Sequence, residues 1–381
     1  MKTLRVGIAG YGVIGPKRHR YIDLHPNMKV VAISDQKFQE NNMEHHEIRR
    51  FRNYFDLLKC DLDALFVCLP NDLAPTVTIK GLQKGLHVFC EKPPGRTVED
   101  IKNVIEEEKL HPNLKLKYGF NHRYHDSVRE ALKIVSSGKL GRVINLRGVY
   151  GKSAFLPWPR PSNPELNYAK DRYWRTSKTI AGGGILLDQG IHMLDLMRAF
   201  AGDFSDVKSI VKNNFWNHDV EDNAYAIMET TTGVVAMLHS TATQWRHKFV
   251  LEISLTEGSL ILSGILSGTK SYGQERLTVI HRHDEDNGNP SEQTTNYVRD
   301  HSWRDEVFEF ATSIVNDQPI TVGNSNDALK TMELVYKIYS SDDKWNRTLI
   351  SESKNQNDPS TNQIVSNKSP FCDLPEQGLP L

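Results

Sequence analysis

Asp188, His192 and Asp195 stand at i, i+4 and i+7, a spacing that puts all three side chains on one face of a helix. A carboxylate one turn before an imidazole is a workable proton-handling pair. An unperturbed imidazole titrates near pH ~6.5, so His192 is the first candidate for a base that takes a hydroxyl proton. The same residues would also suit a buried helix whose polar groups satisfy one another. Just upstream, Gly182-Gly183-Gly184 permits a tight turn. Gly190 lies inside the run at a cost of roughly 1 kcal/mol relative to Ala, which implies that something passes close by. Lys92 is held between Glu91 and Pro93-Pro94 and is therefore rigidly placed. It could donate to an oxygen that develops alkoxide character, or act as the base itself if burial lowers its pKa. The bland alternative is a loop lysine paired with Glu91. The Lys92–Pro93 bond is the expected cis peptide.

The elements that must position these groups begin at the N-terminus. An apolar strand over 4–9 runs into Gly10-Tyr11-Gly12-Val13-Ile14-Gly15, followed by a helix to about residue 25. In this strand–turn–helix context, Gly10 makes the turn, Gly12 admits a pyrophosphate and Gly15 lets helix and strand pack closely. The helix N-terminus beyond Val13 and Ile14 favours phosphate. A second strand over 30–34 ends at Asp35, twenty residues after Gly15, where an acid binds the ribose 2′-hydroxyl of NAD and repels the 2′-phosphate of NADP. Further strands end at Pro70-Asn71, at Glu91-Lys92-Pro93 and at Asn121-His122-Arg123, with Thr97 and Asp100 spaced as a capping box between them. Alternation of this kind predicts a doubly wound parallel sheet, with ligands bound at the carboxyl ends of its strands.

Beyond it, a long strand over 142–150 carries Tyr150. A loop over 155–175 then holds Trp158, Arg160, Trp174 and Arg175. Aromatic faces suit sugar rings and arginines suit anions, although such a loop could also pack on its own domain or on a neighbouring subunit. Strand-like runs follow over 207–212, 224–229, 234–242, 249–255 and 277–280, and helices near 303–315 and 326–339 close the fold. A polar stretch from 341 reads as a weakly ordered tail.

The chain has 381 residues, 38% hydrophobic and 25% charged, with 47 basic side chains balancing 47 acidic ones. That balance gives no reason to expect a nucleic-acid or membrane partner. Cys60, Cys68, Cys90 and Cys372 form no paired motif, which suits a reducing cytoplasm, and no ligand cluster suggests a metal. The short N-terminal apolar run is occupied by the glycine motif and does not read as a signal peptide.

The glycine fingerprint, Glu91-Lys92-Pro93, and the glycine triplet followed by Asp188-Gln189-Gly190-Ile191-His192 together resemble the glucose–fructose oxidoreductase/inositol dehydrogenase/rhizopine-catabolism (Gfo/Idh/MocA) family, over residues 3 to 340 or so. The resemblance implies an α/β architecture: an N-terminal Rossmann domain, here 1–122, and a C-terminal α/β domain, here 123–340. The second domain would carry a large, mostly antiparallel, open-faced sheet used for dimer or tetramer formation, with a tail over 341–381. It implies Lys92 as the catalytic lysine, Asp188 and His192 as the paired acid and histidine, and Asn121 and Arg123 near the substrate. Many relatives have a histidine shortly after the Pro-Asn pair, where this chain has Ala74.

The expected activity is NAD-dependent hydride transfer, with NADP less favoured, at a secondary alcohol or ketone of a polyhydroxylated small molecule: a sugar, cyclitol or nucleotide-linked sugar. The alternatives are a catalytically idle dinucleotide-binding regulator and a reductase of a diol, imine or biliverdin-like substrate.

Overall fold

The computed structural model describes residues 3–39, 43–45, 48–154, 174–267, 270–283 and 288–346. Trp158, Arg160, Cys372 and the tail from 347 lie outside the described residues.

The first half alternates strand and helix. β1 (Leu4–Ala9), α1 (Ile14–Asp23), β2 (Met28–Ser34), β3 (Met43–His45) and β4 (Ile48–Phe51) lead to α2 (Tyr54–Leu57), β5 (Ala64–Val67), α3 (Ala74–Gln83), β6 (His87–Cys90), α4 (Val98–Leu110) and β7 (Leu116–Tyr118). The strands form one sheet in the order β3-β4-β2-β1-β5-β6-β7, parallel throughout except for β3 at its edge. Apolar runs such as Ala64–Val67, buried at every position, are what a sheet covered on both faces requires. Thr97 and Asp100 form the expected capping box on α4. The short pair β3–β4 went unread in the sequence.

The second half contains α5 (Asp126–Ser136), β8 (Val143–Gly151), α6 (Lys178–Ala181) and α7 (Ile191–Ala201), then β9 (Phe204–Lys212), β10 (Asn223–Thr230), β11 (Val235–Thr241), β12 (Lys248–Leu255), β13 (Gly258–Ser263), β14 (Glu275–His281) and β15 (Glu292–Tyr297), and closes with α8 (Ser302–Val315) and α9 (Ser325–Ser341). Its eight strands run β15-β14-β13-β12-β8-β11-β10-β9, antiparallel except between β8 and β11. Alternation buries Ala224, Ala226 and Met228 on one face of β10. The opposite face leaves Ile210, Tyr225, Ile227, Val235 and Met237 between 37% and 55% exposed. The architecture is thus a parallel Rossmann sheet followed by a mostly antiparallel, open-faced sheet, as expected. Helix α8 returns to the first sheet, where Val307, Phe310 and Ala311 pack with Val6, Ile8, Phe66 and Phe89.

Candidate active site

The glycine-rich turn opens one end of a cavity of about 590 Å³, whose walls come from both sheets. Gly10 has φ +92°, and a Cβ there would strike the Cys68 carbonyl at 2.3 Å. A Cβ on Gly15 would strike the Gly10 carbonyl at 2.4 Å, so Gly15 serves close packing and does not itself line the cavity. A Cβ on Gly12 would meet nothing within 4 Å, because Gly12 borders open space at the start of α1. That is the cradle a dinucleotide pyrophosphate needs. Val13 and Ile14 line it too, and Asp35 stands beside them, its carboxylate accepting from the amides of Tyr11 (2.8 Å) and Lys37 (3.0 Å). Pro70, Asn71, Glu91 and Lys92 continue the wall. Asn71 also donates to the Ala181 carbonyl, and Glu91 is anchored by the buried Arg18 guanidinium at 2.6 Å. The residues present therefore fit a nicotinamide dinucleotide. Ala74 is buried at the start of α3.

At the other end the two sheets meet. The Lys92–Pro93 bond is cis. Lys92 Nζ donates to the Asp188 backbone carbonyl at 2.6 Å, and burial lowers its pKa from the usual lysine value, with Asp188 pulling the other way. Asp188 does not sit on a regular helix. Residues Leu186–Gly190 form a π-turn that runs into α7, so the simple i, i+4, i+7 face is broken. The Asp188 carboxylate accepts from Lys152 Nζ (2.7 Å) and Arg175 Nε (3.2 Å). Burial would push its pKa up, but Lys152, Lys92 and Arg175 outweigh it and hold it well below the usual range. The expected carboxylate–imidazole pair is thus replaced by a carboxylate shared between two cations.

His192 lies in the same cavity, stacked on His122 with centroids 3.8 Å apart and planes 14° apart. Its Nδ1 is buried and has no hydrogen-bond partner among the described residues. Burial, Lys92 and His125 keep the His192 ring neutral, well below the ordinary histidine pKa. The core-histidine reading required internal hydrogen bonds that this nitrogen lacks.

Of the other expected residues, Tyr150, Asn121, Trp174 and Arg175 line the cavity. Tyr150 shares a hydrogen bond with His122 Nε2 at 2.9 Å, and Asn121 donates to Ser302 Oγ at 3.2 Å. Arg123 does not line it. Its guanidinium clasps Asp195 at 2.7 and 2.6 Å and reaches Asp327, so it is engaged within the fold and not by the cavity. Lys152 and His122 are among the lining residues that the sequence reading did not single out. Lys152 follows directly on β8, and only the pairing of β8 with β11 shows that it faces Asp188. In the sequence His122 stands only within the polar cluster Asn121-His122-Arg123. The element that passes Gly190 is β11: a Cβ there would meet Ser240 Oγ at 2.7 Å.

A glycine cradle on a parallel sheet, facing a lysine, a carboxylate and a neutral imidazole across one cavity, defines a two-domain oxidoreductase of the dinucleotide-binding type. The chain belongs to the Gfo/Idh/MocA family: residues 4–120 match the oxidoreductase family's NAD-binding Rossmann fold and residues 128–261 match the GFO/IDH/MocA C-terminal domain. Among curated relatives, it is 27% identical to the levoglucosan dehydrogenase of Pseudarthrobacter phenanthrenivorans, over 69% of this chain and 74% of that one. It is 24% identical to the D-glucoside 3-dehydrogenase of Escherichia coli, over 89% and 95%. Solved structures share the fold. A levoglucosan dehydrogenase in complex with NADH superposes with a TM-score of 0.76 at 20% identity, covering 90% of this chain and 98% of that one. A 3-ketoreductase from Actinomadura kijaniata in complex with TDP-benzene and NADP gives 0.74 at 20% identity, with the same coverage. No described helix is long and apolar enough to cross a membrane.

Proposed function

We propose that this chain transfers a hydride between NAD(H) and a secondary alcohol or ketone of a sugar-like substrate. The observation that carries the reading is the cavity itself, where Lys92 beyond the end of β6 and Asp188 and His192 from the π-turn and α7 border a space continuous with the glycine cradle. The named sugar dehydrogenases among its relatives support the substrate class. The cofactor supplies the hydride chemistry. Gly10 and Gly12 would admit the pyrophosphate, and Asp35 would accept from the ribose. Lys92 Nζ would pass a proton to or from the reacting oxygen, and its lowered pKa suits that exchange. The neutral His192 ring borders the same cavity and would meet a substrate hydroxyl there. Asp188 holds Lys92, Lys152 and Arg175 in register through its carbonyl and carboxylate.

Asp35 supports preference for NAD(H) over NADP(H). The exposed apolar stripe over β9, β10 and β11 supports pairing with a second copy of this chain. The free thiols of Cys60, Cys68 and Cys90 suit a reducing compartment, and we assign the chain to the cytoplasm. The test is a panel of sugars, cyclitols and nucleotide-linked sugars, followed by nicotinamide absorbance in both directions. Tight NAD(H) binding with no turnover on any of them would favour a dinucleotide-binding regulator instead.

A further inference from the structure

Glu221 is fully buried and does not line the cavity, and nothing in the proposed chemistry uses it. Its carboxylate accepts from the Gly184 amide (2.7 Å), the Leu186 amide (2.9 Å) and the Tyr339 hydroxyl of α9 (2.8 Å), while its own carbonyl accepts from the Ile185 amide (3.1 Å). The second and third glycines of the triplet permit this approach. A Cβ on Gly184 would strike the Glu221 carbonyl at 2.0 Å, and one on Gly183 would strike Tyr339 Oη at 2.2 Å. From Gly184 the chain of bonds continues: its carbonyl accepts from the Asp188 amide at 2.8 Å, and the Asp188 carbonyl accepts from Lys92 Nζ at 2.6 Å. Three hydrogen bonds in series therefore join a buried carboxylate to the candidate proton-handling lysine.

We propose that Glu221 is a positioning residue that fixes the π-turn of Asp188, and through it the place of Lys92 Nζ, from a site outside the cavity. This rests on the reading of Lys92 and Asp188 as working groups. A carboxylate accepting at the start of a helical run is a charge-assisted contact. Burial raises the Glu221 carboxyl to about 7, so the contact weakens near neutrality. The groups facing it are Tyr339 and Tyr336 from α9 and the amides of the turn. Neighbouring Asp222 directs its carboxylate instead to the amides of Asn214, Phe215 and Trp216. The sign follows: Glu221 holds the turn fully when ionised, above about pH 7, and lets it relax as the pH falls.

The test is Glu221→Gln, which presents an amide donor to one of two amide donors. Turnover should fall by about 10²-fold, the cost of a roughly 1 Å misplacement, with NAD(H) affinity retained. The wild-type decline below about pH 7 should flatten. A second readout needs no substrate: the rate at which an amine-specific reagent labels Lys92, relative to the exposed Lys109, by mass spectrometry. That ratio should rise severalfold in the variant as Nζ loses its carbonyl anchor. A folded variant with wild-type turnover, pH profile and labelling overturns the proposal. If Glu221→Gln does not fold, Tyr339→Phe removes one donor, so the Glu221 titration and the turnover limb should move to higher pH; no movement overturns it equally. If the wild type turns over no sugar, the labelling ratio decides this inference alone, and the functional reading fails separately.

Discussion

The His192 imidazole lies face to face on that of His122, 3.8 Å between centroids, with both rings buried. Burial, together with His192, His125 and Lys92, lowers the His122 pKa well below its usual value. A histidine whose folded pKa lies below its unfolded value of about 6.5 costs nothing above that pH and destabilises the fold as the pH falls through the window beneath it. His122→Phe should therefore lose less melting temperature than wild type between about pH 7 and pH 5. Parallel melting curves in the two proteins would remove His122 from the acid response.

His192→Ala and Lys92→Ala should each lower kcat by about 10²–10⁴-fold, the range of general acid–base catalysis, while NAD(H) affinity stays within a few-fold. Because His192 Nδ1 bonds to no described group, truncation strands no partner and the melting temperature should change little. The double variant should lose less than the product of the two. Wild-type turnover in a stable His192→Ala would leave Lys92 as the proton-handling group.

Arg123→Ala should act on stability and not on substrate affinity. It leaves Asp195 buried and uncompensated, a loss of roughly 3–5 kcal/mol. Chemical denaturation checks the size, and KM checks the assignment: a raised KM at unchanged stability would return Arg123 to the substrate site.

Asp35→Ser should narrow or reverse a preference for NADH over NADPH, since the carboxylate that would repel a 2′-phosphate is gone. Fluorescence titration of both cofactors into both proteins decides it. Tighter NADPH binding by the wild type would contradict the Asp35 reading.

Ile227→Asp with Met237→Asp places two charges on the exposed stripe of the second sheet. Light scattering should show a dimer or tetramer become a chain of 43.4 kDa. A wild type that is already monomeric would sink the assembly proposal.

Much of this was legible in the sequence because its signals are local. The glycine fingerprint, Thr97 with Asp100, and the polar ends of the first sheet's strands each need only a few neighbouring residues. Two elements with local signals, α5 and the alternating strand β13, also went unread, but most of the rest depends on contacts between distant segments. β15, Glu-Gln-Thr-Thr-Asn-Tyr, is a polar edge strand with no buried face to leave an alternating pattern. The π-turn at Leu186–Gly190 is a helical register that no residue spacing announces. Lys152 and Glu221 become meaningful only once β8 and the start of β10 are set against the glycine turn.

Helix α8 makes the first domain discontinuous. Val307, Phe310 and Ala311 complete the core on one face of β1, β5 and β6, and Glu306 lies 2.8 Å from the Arg18 guanidinium that also holds Glu91. On the ribosome, then, the nucleotide-binding half cannot close its interior when its own last strand emerges. Arg18 lacks its second carboxylate partner, and Phe66 and Phe89 stay uncovered, until the chain has been synthesised past residue 311. The two halves must therefore mature together, and a graft that exchanges only the N-terminal half between relatives would separate that core from part of its lid.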